Sequence, residues 1–414
     1  MRQALATRSL LPLPSQSRMS ILHVITSLSP RDGGPPEVTR QLALAYGRTN
    51  AQIEVLCNDD PDSPFLKDFP CPVHAVGQRW LGKYSLSPRM WKWLRVNASR
   101  FDGIVAQGIW TFPCVAVRAA ALRAGKCYAV FPHGSLDPWF KKRFPLKHFK
   151  KMLYWPIQYP VLRDAAAVLF TSSLEPGLAR LSFRPNEWHA VLYPQGICEP
   201  EGAPEAQKAL FYQSFPQLRD RRFLLFMGRL HKKKGCDLLI EAFSGVAAEH
   251  PDVDLVIAGP DQQGFQADLQ RICAQKGIGS RVHWPGMIVG DLKWGALRSA
   301  EAFILPSHQE NFGLVVAESL AAGRPVLTTN KVNIWQEIQE DGAAVIEDDT
   351  LEGTVRLLRG WLDVSPERRA AMTERAYPCY ASRYTMQRAA EMMKQLFPGA
   401  QTGDTTRVAV PRTA

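Results

Sequence analysis

Short apolar runs alternate with longer amphipathic stretches in two successive series along the chain. Runs at 21–28, 53–57, 103–106, 127–131, 167–171 and 190–193 have the length of buried strands, and helical periodicity falls near 88–96, 114–124, 146–162 and 174–181. A Gly-rich turn, SPRDGGPPEV, opens a further helix after the first run. The second series has strands at 223–227, 255–258, 282–284, 302–305, 325–328 and 343–346, with helices near 236–248, 265–275, 291–299, 314–322 and 350–361. Strand and helix in alternation predict an α/β protein with parallel sheets covered on both faces. The division expected is a disordered extension over 1–18, a Rossmann-like domain over 19–196, a linker over 197–222 and a second Rossmann-like domain over 223–380. A terminal helix over 381–398 and a disordered tail over 399–414 complete it.

Composition narrows the class. With 414 residues, 46% apolar and 21% charged, the chain has material for two ordinary globular domains, and no run of 18 apolar residues exists to span a membrane. The first 18 residues hold too short and kinked an apolar run for a signal peptide; an over-extended start is preferred to a transit peptide. Eight cysteines without a C-x-x-C spacing argue against zinc, redox or iron–sulfur sites and point to a reducing cytoplasm. The net charge of +11 is concentrated: from Arg79 to Arg184, 18 Lys and Arg face four acids, so this segment carries +14.

The densest candidate chemistry lies in EAFILPSHQENFGLVVAESLAAGRPVLTT, residues 301–329. A strand leads through a polar turn into a helix, placing Glu310 in the turn and Glu318 eight residues on, so that both can face the crevice at the strand's carboxyl end. Asn311, Phe312, Gly313 and Leu314 leave unpaired N–H groups at the helix start, which suit a phosphate, while carboxylates suit sugar hydroxyls. A ligand bearing both, such as a nucleotide sugar, fits. In FMGRLHKKKG, Gly228 frees a turn while Arg229 and Lys234 offer a fork and a point charge to a diphosphate. In FPHGSLDPW, His133 ends a strand before a glycine, Asp137 can cap the next segment or meet a sugar, and Trp139 can stack on a sugar face. Two D-x-D triplets, Asp60 to Asp62 and Asp252 to Asp254, are read as surface turns rather than a metal site.

The wording E-N-F-G-L-V-V-A-E-S-L-A-A-G-R-P-V resembles the E-x7-E segment of retaining glycosyltransferases of the GT-B fold, family 4 (glycosyl transferases group 1), and G-R-L-x-x-x-K-G resembles their diphosphate-binding segment. The resemblance covers about residues 20–397, and P-H-G-x-L-D-P-W is similar to a subgroup found among bacterial polysaccharide transferases. It implies two Rossmann-like domains across a cleft, acceptor side first and nucleotide-sugar side second, with the terminal helix crossing back onto the first. It further implies that Gly33 and Gly34 face the cleft, that His133 lies beside the donor sugar, and that Arg229 and Lys234 hold the donor phosphates. Glu310 then holds sugar hydroxyls and Glu318 the ribose, with retention by front-face attack, no metal and no other cofactor. One departure stands out: relatives often carry Asn-Gly where this chain reads Tyr193-Pro-Gln-Gly196.

The expected partners are a UDP- or GDP-sugar and a glycan or lipid-linked acceptor used in cell-surface polysaccharide synthesis. Residues 139–164, WFKKRFPLKHFKKMLYWPIQYPVLRD, mix cations with aromatics as an anionic membrane surface requires, which suggests peripheral attachment to the inner face of the plasma membrane. The rivals are a nucleotide-sugar epimerase or hydrolase of the same architecture and, from another class, a basic nucleic-acid-binding protein; nucleic acid is not the expected partner.

Overall fold

The apolar runs become strands buried on both faces, as parallel strands between two helical layers require. The computed structural model describes residues 19–397 apart from 48, 50, 262 and 263, so the extension and tail expected at 1–18 and 399–414 lie outside the described residues. Strands β1 (Met19–Ile25), β2 (Ala51–Cys57), β3 (Val73–Ala75), β4 (Gly103–Gln107), β5 (Cys127–Phe131), β6 (Ala167–Phe170) and β7 (Ala190–Leu192) form one sheet in the order β3-β2-β1-β4-β5-β6-β7. The second sheet holds β8 (Arg222–Met227), β9 (Val253–Ala258), β10 (Val282–Gly286), β11 (Ala302–Leu305), β12 (Val326–Thr329) and β13 (Ala344–Glu347), in the order β10-β9-β8-β11-β12-β13. Every pairing in both sheets is parallel.

Each sheet grows outward from its first strand and then returns to place β4 beside β1 and β11 beside β8. Loops leaving these neighbours diverge to opposite faces and open a crevice beyond the carboxyl ends, which is where α/β sheets take ligands. The loops carrying Gly33, Arg229, Lys234 and Glu310 all leave one of these four strands.

The two lobes are tied together twice. Ile197 and Met386 exchange backbone hydrogen bonds with the opposite crossover, Ile197 N to Tyr384 O at 3.0 Å and Met386 N to Ile197 O at 2.9 Å. Gly196 permits this: a Cβ there would lie 2.0 Å from Tyr384 O. Where the familiar Asn-Gly is missing, the glycine alone thus serves the crossing. The terminal helix Met386–Leu396 then buries Met386, Ala389, Ala390 and Met393 in the first lobe's core, Phe397 lies over Gly103, and Tyr193 Oη donates to Ala389 O at 3.0 Å.

Three expectations need correction. The first strand stops at Ile25 rather than running to 28, because Leu28 N turns away to donate to Asp59 Oδ2 at 2.7 Å. The linker expected over 197–222 contains a helix, Pro204–Ser214, whose Phe211 enters the second lobe's core. Gly295 lets that helix press onto Gly290–Ser299, since a Cβ there would sit 2.1 Å from Gln207 O. Helix Pro366–Arg383 and edge strand β3 were not anticipated; both are short on apolar periodicity, the helix burying only Met372, Ala376, Cys379 and Tyr380.

Candidate functional site

Two loops of the second lobe meet first. Gly235, at φ +71°, packs so closely that a Cβ would fall 2.0 Å from Pro306 O, and Lys233 O accepts from His308 N (2.9 Å) and Ser307 Oγ (3.0 Å). This contact presses the loop after β8 against the loop after β11 and pairs Lys234 Nζ directly with the Glu310 carboxylate, both largely buried. Burial alone would raise the Glu310 pKa, but Lys234, Lys233 and Arg229 outweigh it and hold the carboxyl below its ordinary value. Arg229 is exposed and has no ion-pair partner among the described residues.

The turn continues through Asn311 and Phe312 to Gly313 at φ +74°, the cap of helix Leu314–Ala321. Among the described residues the N–H groups of Phe312, Gly313 and Leu314 have no acceptor, so three donors stand open beside Lys234 and Arg229. Phe312 is itself buried edge-on against Tyr384 at 5.6 Å, which anchors the turn to the crossover. Glu318 lies inside the helix, 7% exposed, and accepts from Lys293 Nζ at 2.8 Å. The two glutamates of the motif are thus divided between two cations rather than aimed at one point.

The first lobe answers with uncharged groups. His133 has φ +49° and stacks on Phe131 at 4.1 Å. Its Nε2 donates to Gln107 Oε1 at 2.7 Å, and Gln107 Nε2 donates to His23 Nδ1 at 2.7 Å. A side-chain amide nitrogen can only donate, so His23, which accepts at Nδ1, is neutral. Burial pushes both histidines down to about 3, His133 adding its repulsion at His23. Sequence reading found His133 but missed Gln107 and His23.

Glu175 was missed as a site residue too. It is 4% exposed and accepts from Gly134 N (3.1 Å), Thr171 N (2.8 Å) and Thr171 Oγ1 (3.0 Å), and burial pushes its pKa up to about 7 despite these bonds. Asn311 reaches it from the other lobe. With the amide turned one way, Nδ2 lies 3.0 Å from Glu175 Oε1; turned the other, Nδ2 donates to Thr171 Oγ1 at 3.1 Å. Gly134 makes room, because a Cβ there would lie 2.8 Å from Asn311 Cβ.

Further contacts close the gap. Gln309 Nε2 donates to Asp137 Oδ2 at 3.2 Å, and Leu314 comes within 3.9 Å of where a Cβ of Gly34 would stand. Gly33, at φ +91°, has nothing within 4 Å of such a position, so its backbone faces open space. Asp137 does cap: its Oδ1 accepts from Trp139 N at 2.7 Å. Trp139 is covered by the Lys233 ammonium, 5.4 Å from the ring centroid.

Of the two D-x-D triplets, Asp60 forms the expected exposed turn, accepting from Asp62 N at 3.0 Å. Asp254 corrects the other: it is a buried residue of β9, satisfied by Arg221 (2.5 Å), Arg281 (2.9 Å) and His283 (2.8 Å). Among the described residues no group of three or more His, Cys, Asp or Glu side chains is arranged to hold a metal, and no helix is long and apolar enough to cross a membrane.

Two Rossmann-like lobes meeting across their switch points define the GT-B architecture, and solved structures agree: HepE from Anabaena, in complex with UDP and glucose, superposes with a TM-score of 0.73 at 17% identity, covering 91% of this chain and 98% of that one. WaaG, a glycosyltransferase involved in lipopolysaccharide biosynthesis, gives 0.67 at 16% identity over 92% of this chain and 100% of its own. Residues 211–378 match the family described as glycosyl transferases group 1 and residues 33–194 the glycosyl transferase 4-like domain; the chain belongs to this glycosyltransferase family. Among relatives, alpha-D-kanosaminyltransferase of Streptomyces kanamyceticus is 26% identical over 59% of this chain and 62% of its own length. The lipopolysaccharide core biosynthesis mannosyltransferase LpsB of Rhizobium meliloti is 27% identical over 36% of this chain and 44% of its own. The matched region thus spans less than two thirds of either relative.

Proposed function

We propose that the protein transfers a sugar, with retained configuration, from a UDP- or GDP-sugar to a glycan or lipid-linked acceptor in cell-surface polysaccharide synthesis. The observation that carries this reading is the Lys234–Glu310 pair set beside three open amide groups at the start of helix Leu314–Ala321. A diphosphate arriving there takes the amides, Arg229 and Lys234, which neutralise the charge that develops on the leaving group. Lys234 then releases Glu310, a carboxylate already held ionised, to accept hydrogen bonds from sugar hydroxyls. His133, neutral and fixed by Gln107, faces the sugar as a hydrogen-bonding group rather than as a charge. HepE, which binds UDP and glucose, lends support from the same fold.

Transfer proceeds without a metal, with the departing phosphate helping to deprotonate the acceptor hydroxyl. The acceptor side lies toward helix Pro145–Arg163, which exposes Leu146, Phe149, Met152 and Leu153 beside Lys147 and Lys150, a face suited to an anionic bilayer at the cytoplasmic surface. A thermal-shift panel of UDP- and GDP-sugars, run with and without EDTA, tests the reading. At about 100 times Kd the right donor stabilises by about 2.7 kcal/mol, unaffected by EDTA; no shift with any nucleotide sugar sinks it. Glu318→Ala raises the donor KM with little change in kcat, since ribose binding is common to ground and transition states; a pure fall in kcat contradicts the ribose role.

A further inference from the structure

Beside the His133 loop, on the first lobe, lies a hollow of about 60 Å³ with no role in the donor chemistry above. Ser135 and Asp137 form its near wall, Phe140 and Phe183 its apolar sides, and Lys141, Lys147, His148 and Lys151 turn toward it from helices Trp139–Arg143 and Pro145–Arg163. Among the described residues none of these three lysines has an ion-pair partner. The one carboxylate in the wall, Asp137, is already engaged by Trp139 N and Gln309 Nε2.

Lys151 is the unusual member. Its ammonium sits 4.6 Å from the Trp110 ring centroid and 5.6 Å from that of Phe140, away from bulk water, and its charged neighbour is another cation, Lys147. Burial and that repulsion bring its pKa down to about 8, and burial with Lys141 and Lys151 lowers His148. Ring faces compensate part of the desolvation, but a basic patch made only for solubility would keep its lysines in water. Cations gathered around a concave space, one of them desolvated and none neutralised, are the arrangement that an anion completes.

We propose that this hollow is an anion subsite of the acceptor lobe, holding a phosphate group carried by the acceptor, with Lys151 as the inner contact and Lys141 and Lys147 at the rim. The hollow has room for several waters, enough for one phosphate group. The Phe140 ring joins it to the donor side, since Lys233 Nζ lies 5.5 Å from the ring centroid that Lys151 also faces. The word acceptor rests on the transfer reading; anion binding in the hollow does not.

Calorimetry on the full chain saturated with UDP, so that Arg229 and Lys234 are occupied, tests it with inorganic pyrophosphate and farnesyl diphosphate as probes. Wild type binds both, more weakly as salt rises, and K147M/K151M, which keeps most of the apolar stems, loses about 10-fold or more in affinity with UDP affinity unchanged. Tighter binding of farnesyl diphosphate than of pyrophosphate assigns the phosphate to a lipid carrier; equal binding assigns it to a soluble acceptor. Failure of both probes to bind wild type, or equal affinity in K147M/K151M, overturns the subsite. If that variant does not fold, K141M/K147M at the exposed rim replaces it, with a smaller loss expected and no loss again decisive. Should neither UDP nor, in a parallel run, GDP bind, the transfer reading fails, while the comparison of wild type with K147M/K151M still reports on the hollow.

Discussion

Glu310, largely buried, and Glu175, fully buried, lie at the same interlobe gap, yet their environments drive them in opposite directions. Glu310 is surrounded by Lys234, Lys233 and Arg229, and although burial opposes it the carboxyl is held ionised. Glu175 has hydrogen-bond donors and no cation, so burial prevails and its pKa rises to about 7. The second lobe therefore meets the gap with paired charges and the first with neutral groups, the His23–Gln107–His133 chain included. On the proposed reading, a cleft built this way meets a charged diphosphate on one side and faces it with neutral hydrogen-bonding groups on the other.

The largest break of this contrast is Lys234→Met. It leaves the Glu310 carboxylate buried without its direct partner, a loss of about 3 kcal/mol in unfolding free energy by the usual cost of breaking a buried pair, read by denaturant titration. Adding Glu310→Gln in the same chain restores most of that stability without restoring donor binding. If Lys234→Met unfolds at the wild-type midpoint, the pair is not what keeps Glu310 charged.

Glu175→Gln comes next, and its sign is fixed by titration. The native pKa of about 7 lies above the ordinary 4.5, so the native state holds the extra proton between these values. The contribution is complete below about pH 4.5 and is lost as pH rises through about 7, amounting to about 3 kcal/mol at most. Melting curves of wild type and Glu175→Gln therefore diverge between pH 5 and 8, wild type losing ground as pH rises; parallel curves refute the neutral state.

The two glutamates also differ in how readable they were. Glu310, Lys234 and Gly313 belong to one contiguous strand–turn–helix logic, and their spacing alone places them at the end of β11 or β8. Glu175 draws its partners from Gly134, 41 residues away, and from Asn311 in the other lobe, so it looks in sequence like any acid at the start of a short helix. Gln107 is equally silent: a polar residue closing an apolar strand reads the same whether it meets water or, as here, a histidine 84 residues earlier. Alternation gave away the sheets because burial on both faces is a local demand, whereas the linker's helix escaped notice because its partner, Gly290–Ser299, is distant in sequence.

Gln107→Leu probes the neutral side more gently. It strips the partners from His133 Nε2 and His23 Nδ1 at once, costing about 2 kcal/mol for unmet buried polar groups. With native pKa values of about 3 against an ordinary 6.5, the histidines contribute stability that is present above pH 6.5 and lost as pH falls toward 3, the reverse of Glu175. Imidazole 15N shifts that show one tautomer for His133 in wild type and a mixture in Gln107→Leu support the fixed state; a mixture in both removes Gln107 from that role.

Asp137 gives the smallest effect and separates two roles that sequence left open. Removing it in Asp137→Ala loses the cap on Trp139 N and the contact with Gln309, about 1 kcal/mol by the usual cost of a cap. Asp137→Asn retains an oxygen for Trp139 N, so the cap survives while the charge facing Lys233 is gone. If Asp137 acts only as a cap, the asparagine variant matches wild type in both unfolding midpoint and kcat/KM, whereas a contact with the sugar lowers kcat/KM by about 10-fold or more at an unchanged midpoint. The second outcome would place a first-lobe charge at the reacting sugar and so breach the division between a charged lobe and a neutral one.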